Sequence, residues 1–165
     1  MNRILYSLVT AFAFLLIVSC LLFDRETVPI EQPIEFSHRI HAGEKGMPCL
    51  FYHSHARRST VAGIPRVKTC MGCHRSIARN KPEVQKLEAY QKSGEQVEWR
   101  RVYKLEDFVY FSHKRHIRKG IDCSQCHGKV EEMDRVVKVR ELTMGWCVNC
   151  HRERKAATDC LICHK

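Results

Sequence analysis

The usual means of building a protein interior are scarce in this sequence. After residue 23 there are few long apolar runs, and segments typical of β-strands amount to little more than 97–105 and 136–139. The 165 residues include five prolines and eight glycines, and aromatic residues make up 8%. A domain of this size that relied on its own side chains would need a larger apolar core. The shortage therefore argues against a pure side-chain core and predicts that a bound group fills the interior.

Irregularly spaced cysteines are also lacking, although the chain has ten cysteines. Eight of them form Cys-x-x-Cys pairs, which are Cys70/Cys73, Cys123/Cys126, Cys147/Cys150 and Cys160/Cys163. A disulfide framework would place its cysteines at irregular spacings, so this regularity argues against one. Cys20 and Cys49 remain outside the pairs.

A histidine directly follows each of these pairs, and the four are His74, His127, His151 and His164. A Cys-x-x-Cys pair alone could be half of a zinc site or a redox disulfide. Two cysteines at this spacing can also form thioethers to the two vinyl groups of one haem, and the adjacent histidine then reaches the iron. Because all four pairs carry the histidine, the sequence predicts four haem c groups.

Six further histidines could close the second face of each iron, and they are His38, His41, His53, His55, His113 and His116. Iron in a pure electron carrier is usually ligated on both faces, so each haem needs a second axial ligand from elsewhere in the chain. The methionines at 47, 71, 133 and 144 are alternative ligands. The sequence alone does not choose between ligation and apolar packing for them.

The segment 36–53 is repeated at 111–127, with one extra residue in the first copy. Both copies begin with Phe-Ser-His-x-x-His, but in the first copy Tyr52 replaces the second attachment cysteine. Cys49 and His53 are then either a vestige with a free thiol or the site of a fifth haem held by one thioether. Five haems would require ten axial ligands, which equals the number of histidines in the chain. We therefore favour a fifth haem at Cys49 and His53.

Residues 4–23 carry no charge and are just long enough to span a bilayer as a helix. Arg3 precedes this run, so the positive-inside rule places residues 1–3 in the cytoplasm. A linker at 24–33 and the haem domain at 34–165 are then exported. We expect the haem domain on the periplasmic, outer face of a bacterial cytoplasmic membrane.

The sequence Ile17-Val18-Ser19-Cys20 offers a second form of membrane attachment. It resembles a lipoprotein cleavage box, in which Cys20 would become the lipidated first residue. The apolar run continues for three residues beyond Cys20, as a spanning helix needs and a cleaved signal does not. Either form tethers the domain to the same face of the membrane.

The formal net charge of +10 raises the question of an anionic partner. Each haem carries two propionates, so four or five haems add roughly eight to ten negative charges, which balance this excess. The basic residues are scattered and no recognised nucleic-acid module occurs, so nucleic acid is not an expected partner.

One longer helix is predicted over residues 82–92, with Pro82 at its start and Gly94 after its end. Short helices are expected around each haem motif. The predicted fold is therefore mostly irregular and α-helical, with repeat modules at about 34–80 and 109–165 around a haem core, plus one N-terminal transmembrane helix.

The Phe-x-His-x-x-His segments before Cys-x-x-Cys-His resemble class III multihaem cytochromes c. More narrowly, His41-Ala42-Gly43, Ala62-Gly63-Ile64-Pro65, the segment 99–116 and Met144-Gly-Trp-Cys-Val-Asn-Cys-His-Arg152 resemble the pentahaem subunit of bacterial alternative complex III. The likeness covers most of the chain from about residue 34. The cytochrome subunit of a menaquinone reductase complex is similar and is kept as an alternative.

The resemblance implies an electron-transfer subunit of a membrane quinol-oxidising respiratory or photosynthetic complex. Its partners would be iron–sulfur and membrane quinone-binding subunits, with a soluble electron acceptor as a further candidate. By likeness to class III cytochromes, His38 and His113 would ligate the haem attached just downstream, while His41 and His116 would reach other haems. The substitution at Tyr52 departs from the family pattern at its first haem.

A self-standing haem reductase is the alternative of a different class. Such an enzyme would need one iron with an open face and a pocket that delivers protons. The supply of histidines argues against an open face, and we expect no catalytic residues in the chain.

Overall fold

The computed structural model describes residues 29–164, in which short helices interrupt a mainly irregular chain. The predicted anchor at 4–23, the tail at 1–3 and Cys20 lie outside the described residues. Within 29–164, no helix has the length and apolar character needed to cross a bilayer.

The α-helices of this part are α1 (Cys49–Tyr52), α2 (Val67–His74), α3 (Pro82–Ser93), α4 (His113–Arg118), α5 (Ser124–His127), α6 (Met144–Glu153) and α7 (Cys160–Cys163). A π-helix at Arg39–Glu44 and 3₁₀ turns at Ser54–Arg57 and Val130–Glu132 complete the regular elements. The attachment pairs from Cys70 onward each lie in or beside a short helix, as predicted.

The helix α3 confirms the prediction for residues 82–92 and extends it by one residue to Ser93. Pro82 occupies its first turn, where the missing N–H costs nothing. Gly94 follows it with φ of 77°, a left-handed conformation that suits glycine at a helix end. Val84 and Leu87 lie one turn apart and are both buried, and Leu87 packs with Val67 and Met71 of α2.

The weak strand signals at 97–105 and 136–139 correspond to no strand, since within 29–164 the structure contains only an isolated bridge between Val109 and His164. Side chains satisfy the backbone in both segments. The Gln32 amide bonds the Arg100 carbonyl at 2.9 Å and accepts the Arg100 N–H at 3.0 Å. The Tyr103 hydroxyl accepts the N–H of Val139 at 3.0 Å. Extended backbone that is bonded in this way forms no ladder with a neighbouring strand.

The extra residue in the first copy of the repeat converts an α-helix into a π-helix. In the second copy α4 is an ordinary helix, whereas in the first the N–H of Lys45 bonds the carbonyl of Ile40, five residues earlier. Beyond the insertion the two copies return to register, because Met47 N bonds His41 O at 3.0 Å as Ile121 N bonds His116 O at 3.2 Å. A single insertion is thus absorbed as a π-bulge.

The π-helix also joins the two halves of the described chain. The Arg39 N–H donates to the Met133 carbonyl at 2.8 Å, and the Arg39 guanidinium and the Ser37 hydroxyl both bond Asp134. A Cβ on Gly43 would lie 2.4 Å from the Glu131 carbonyl oxygen, so only glycine permits this approach. The two repeat modules are therefore in direct backbone contact.

The buried apolar residues are few and belong to the first half. They are Ile34, Ala56, Val67, Met71, Val84 and Leu87. From residue 109 to 164, where three of the four complete motifs lie, no side chain is buried. Leu161, inside the last motif, is 77% exposed and Met144, beside the third, is 71% exposed. The second module thus has no protein core of its own, as the sequence predicted for the domain.

Because the second module lacks a core, we expect the chain to fold only when haem is attached. Chain produced without the cytochrome c maturation machinery should show no cooperative melting transition and rapid proteolysis, whereas the same chain produced with that machinery should melt cooperatively. Circular dichroism during heating measures this. A cooperative transition in the haem-free chain would contradict the expectation.

Candidate functional site

Three pairs of histidine rings face each other at one repeated spacing. The ring centres of His41 and His74 are 6.0 Å apart, those of His113 and His127 are 6.4 Å apart, and those of His116 and His151 are 6.0 Å apart. Two imidazoles that share one metal ion through bonds of about 2 Å have ring centres roughly 6 Å apart. Each pair therefore fits the two axial positions of a single iron ion.

The pairs obey the repeat. His41 and His116 are equivalent in the sequence repeat. His41 pairs with His74 at the end of α2, and His116 pairs with His151 within α6. By this pairing, α2 and α6 are equivalent helices of the two modules. The structural repeat is therefore longer than the sequence repeat at 36–53 and 111–127, because it includes one further Cys-x-x-Cys-His helix in each module. The motif on α7 has no counterpart in the first module.

A hydrogen bond to a backbone carbonyl orients most of the histidine rings. The Nδ1 atoms of seven histidines lie 2.6–3.3 Å from carbonyl oxygens, and these are His41, His53, His74, His113, His116, His151 and His164. A ring that donates Nδ1–H to a carbonyl keeps Nε2 free as a metal ligand. The same Nδ1 contact at seven histidines is compatible with a chain that binds haem through Nε2.

His38, which is half-buried, makes no such contact. Its Nδ1 atom is buried without a hydrogen-bond partner. Burial lowers the pKa of His38, and the neighbouring His53 and His41 lower it further, to about 4. The imidazole is therefore neutral at physiological pH, which is the form that ligates metal.

One phenylalanine in each module supports two histidines. Phe36 contacts His38 edge-on at 4.8 Å and stacks on His41 at 4.2 Å. Phe111 makes the same contacts in the second module, at 4.8 Å and 4.5 Å. The Phe-Ser-His-x-x-His segment is thus a unit in which one apolar ring fixes two imidazoles.

The thiols of successive motifs lie close together. Burial raises the pKa of Cys123, and the neighbouring Cys49 raises it further. Burial is also the first cause of the raised pKa of Cys126, followed by Cys150 of the next motif. Burial likewise raises the pKa of Cys147, and the neighbouring Cys163 raises it further. Cys49 thus lies near the motif at Cys123, and the three motifs of the second module lie near one another.

Tyr52 lies between two of the predicted haem sites. Its ring is 6.1 Å from that of His41, and its hydroxyl donates to Met47 Sδ at 3.0 Å. Burial raises the pKa of Tyr52, and the nearby Cys70 and Cys73 raise it further. The residue that replaces an attachment cysteine is thus packed toward the neighbouring motif.

The remaining predicted ligands are less completely arranged. Within 29–164, none of the histidine–histidine pairs with ring centres about 6 Å apart includes His38, His53, His55 or His164. Met71 is buried among apolar side chains and belongs to the small core, which makes it packing and not a ligand.

Tyr103 is a supporting residue that the sequence did not reveal. Its ring contacts His127 edge-on at 4.6 Å, and its hydroxyl lies 3.5 Å from the Cys126 carbonyl. A tyrosine 23 residues before Cys126 gives no spacing signal of its own. Likewise, the carbonyls that hold the histidines are backbone groups and leave no trace in residue type.

Two comparisons with known proteins identify the family of the chain. A family model described as cytochrome c7 and related cytochrome c matches residues 109–165. The menaquinone reductase multihaem cytochrome c subunit of Nitratidesulfovibrio vulgaris (strain Hildenborough) is 31% identical over 163 residues, covering 82% of this chain and 77% of that protein. This chain belongs to the cytochrome c7-like multihaem cytochrome family. The cofactor of this multihaem cytochrome is haem c, and its role is electron transfer and not catalysis by itself.

The ring pairs generate a prediction for this cytochrome. Replacing His116 by alanine should open one axial position, so that one haem changes from low-spin to high-spin and binds carbon monoxide. The exposed neighbour Arg115, replaced by alanine, is the matched control and should leave the spectrum unchanged. Optical and electron paramagnetic resonance spectra of the two variants measure this. A fully low-spin His116→Ala protein would show that His116 is not a ligand.

Proposed function

We propose that this cytochrome is the electron-relay subunit of a membrane quinone-linked oxidoreductase complex. The observation that carries the proposal is the spacing of the histidine pairs, which suits iron ligated on both faces. Iron with both axial positions filled exchanges electrons but has no position for a substrate. A self-standing haem reductase would need such an open position, so the pairs argue against it.

The residues divide into attachment and ligation. The paired cysteines of the four complete motifs would form two thioethers each, with His74, His127, His151 and His164 as the ligands next to them. His41, His113 and His116 would supply the opposite ligands of three of these groups. Bound haem supplies a one-electron Fe(III)/Fe(II) couple.

The chain itself fixes the ligands before and during electron transfer. The carbonyl bonds to Nδ1 hold each ring in one orientation and increase the electron donation of Nε2. Phenylalanine and tyrosine rings pack against His41, His116 and His127. A ligand shell that moves little between the two charge states keeps the energetic cost of each electron transfer low.

We assign a fifth haem to Cys49 and His53. The Nδ1 atom of His53 lies 2.6 Å from the Gly63 carbonyl, the arrangement found at the motif histidines His74 and His151. Cys49 begins α1, and His53 follows that helix directly. His38, half-buried beside His53, is the candidate for the opposite face.

The fifth haem should appear in the intact mass of the native chain as a fifth haem increment. Cys49→Ala should remove one increment, and Cys20→Ala, the matched change at the other unpaired cysteine, should remove none. A haem with one thioether keeps one vinyl group, which extends the conjugation of the ring and should add a red-shifted component to the pyridine haemochrome band. Tyr52→Cys should keep the number of haems and abolish this component, because a second thioether consumes the remaining vinyl group. Four increments, with Cys49 reactive toward a thiol reagent, would contradict the assignment.

We place the cytochrome in a complex of the menaquinone reductase type. The relative with 31% identity is the multihaem cytochrome c subunit of such an enzyme, which supports partner subunits for this chain. We propose that these partners carry iron–sulfur centres and bind quinone in the membrane. Alternative complex III is the second candidate, favoured by the Met144-Gly-Trp-Cys147 segment. In either case a helix at 4–23 would hold the haem domain on the periplasmic face, and a soluble electron carrier would exchange electrons with it.

Affinity purification from solubilised membranes tests this placement. A tagged chain should co-purify with an iron–sulfur subunit and a membrane subunit, whereas an untagged strain should yield neither. Oxidation of pre-reduced haems by a menaquinone analogue would favour the menaquinone reductase type, and reduction by a quinol would favour alternative complex III. A chain that purifies alone and reacts with neither would contradict the proposal.

A further inference from the structure

The segment 59–63, which follows the 3₁₀ turn at Ser54–Arg57, bonds histidines of both repeat modules. The Thr60 carbonyl oxygen accepts the backbone N–H of His113 at 3.1 Å and lies 2.8 Å from His113 Nδ1. Three residues later, the Gly63 carbonyl oxygen lies 2.6 Å from His53 Nδ1. Two ligand candidates that are 60 residues apart in sequence are therefore held by one short stretch of backbone.

Gly63 contributes a third contact that depends on the absence of a side chain. Its φ is +75°, and a Cβ at this position would lie 3.1 Å from Nδ1 and 3.2 Å from Cγ of His55. Any L-residue would therefore meet both a strained backbone and the His55 ring. The glycine permits the close packing of His55 and the placement of its own carbonyl against His53.

The second module supplies no equivalent of this arrangement for itself. His113 takes its acceptor from Thr60 of the first module, whereas His116, three residues later, takes its acceptor from Ser112 within its own module. The N–H of Lys114 also bonds the Ser59 carbonyl at 3.1 Å. The start of α4 is thus attached to residues 59–60 and not to its own module.

We propose that residues 59–63 form a positioning brace that sets the orientation of His53, His55 and His113 together, so that the haem sites of the two modules are tuned as a unit. This inference rests on the proposed ligation of haem by His53 and His113. Residues 59–63 act through the histidines and touch no iron. A displacement of the brace should change the iron environment in both modules, whereas an ordinary surface loop would affect stability alone.

The test compares Gly63→Ala with Gly94→Ala. Gly94 has nearly the same φ of +77° but nothing within 4 Å of its added Cβ, so it reproduces the backbone strain without a histidine contact. Gly63→Asn is the second variant, because asparagine tolerates positive φ better and still places a Cβ against His55. Intact mass confirms that each variant keeps its haems.

Midpoint potentials from an optical redox titration are the readout. Components are assigned by His53→Met and His113→Met, since a methionine ligand raises the potential of its haem. In Gly63→Ala and Gly63→Asn, the midpoint potentials of both the His53 haem and the His113 haem should shift. In Gly94→Ala, both potentials should match those of wild type. A shift confined to one component, or absent from both, would overturn the brace.

The two proposals fail in different ways. If wild type carries only four haems, the fifth-haem assignment fails and there is no His53 component to measure. The brace then requires that the midpoint potential of the His113 haem shift in the Gly63 variants. If five haems are present and the potentials do not respond, the brace fails while the relay function stands.

Discussion

A hydrogen bond from a histidine Nδ1 to a backbone carbonyl recurs throughout the described chain, and the geometry of the site depends on it. An imidazole that is free to turn about its side-chain bonds presents its second nitrogen in no fixed direction. Seven carbonyls remove that freedom, and they come from turns, helices and distant segments alike. The irregular backbone between helices is therefore functional, because it exposes carbonyls that a strand ladder would have used.

The sequence was sufficient for features that depend on residue type. The four Cys-x-x-Cys-His motifs identified the cofactor, and the family comparisons agree. Pro82 and Gly94 predicted α3 almost to the residue, because both act through the local backbone. The repeat at 36–53 was also legible, since each copy carries the same Phe-Ser-His-x-x-His segment.

Features that depend on distant contacts could not be predicted. The pairing of His41 with His74 joins residues 33 positions apart, and no spacing rule encodes it. The segment 97–105 has a weak strand signal, and the sequence cannot show that the Gln32 side chain bonds the backbone of Arg100. The role of Gly63 was equally hidden, since it depends on a ring eight residues away that packs against it.

The unequal distribution of the buried apolar residues has a consequence for how such a chain can change over evolutionary time. The part of the described chain before residue 109 contains a small buried apolar cluster that includes Met71 and Leu87. The second module has no buried side chain among its described residues, so each of its motifs serves both chemistry and cohesion. In the sequence repeat, Tyr52 occupies the position of an attachment cysteine, in the half of the chain that contains this buried cluster. All six cysteines of the second module are present. Cofactor-binding positions are thus expected to tolerate substitution better in the part of the chain that has buried apolar side chains of its own.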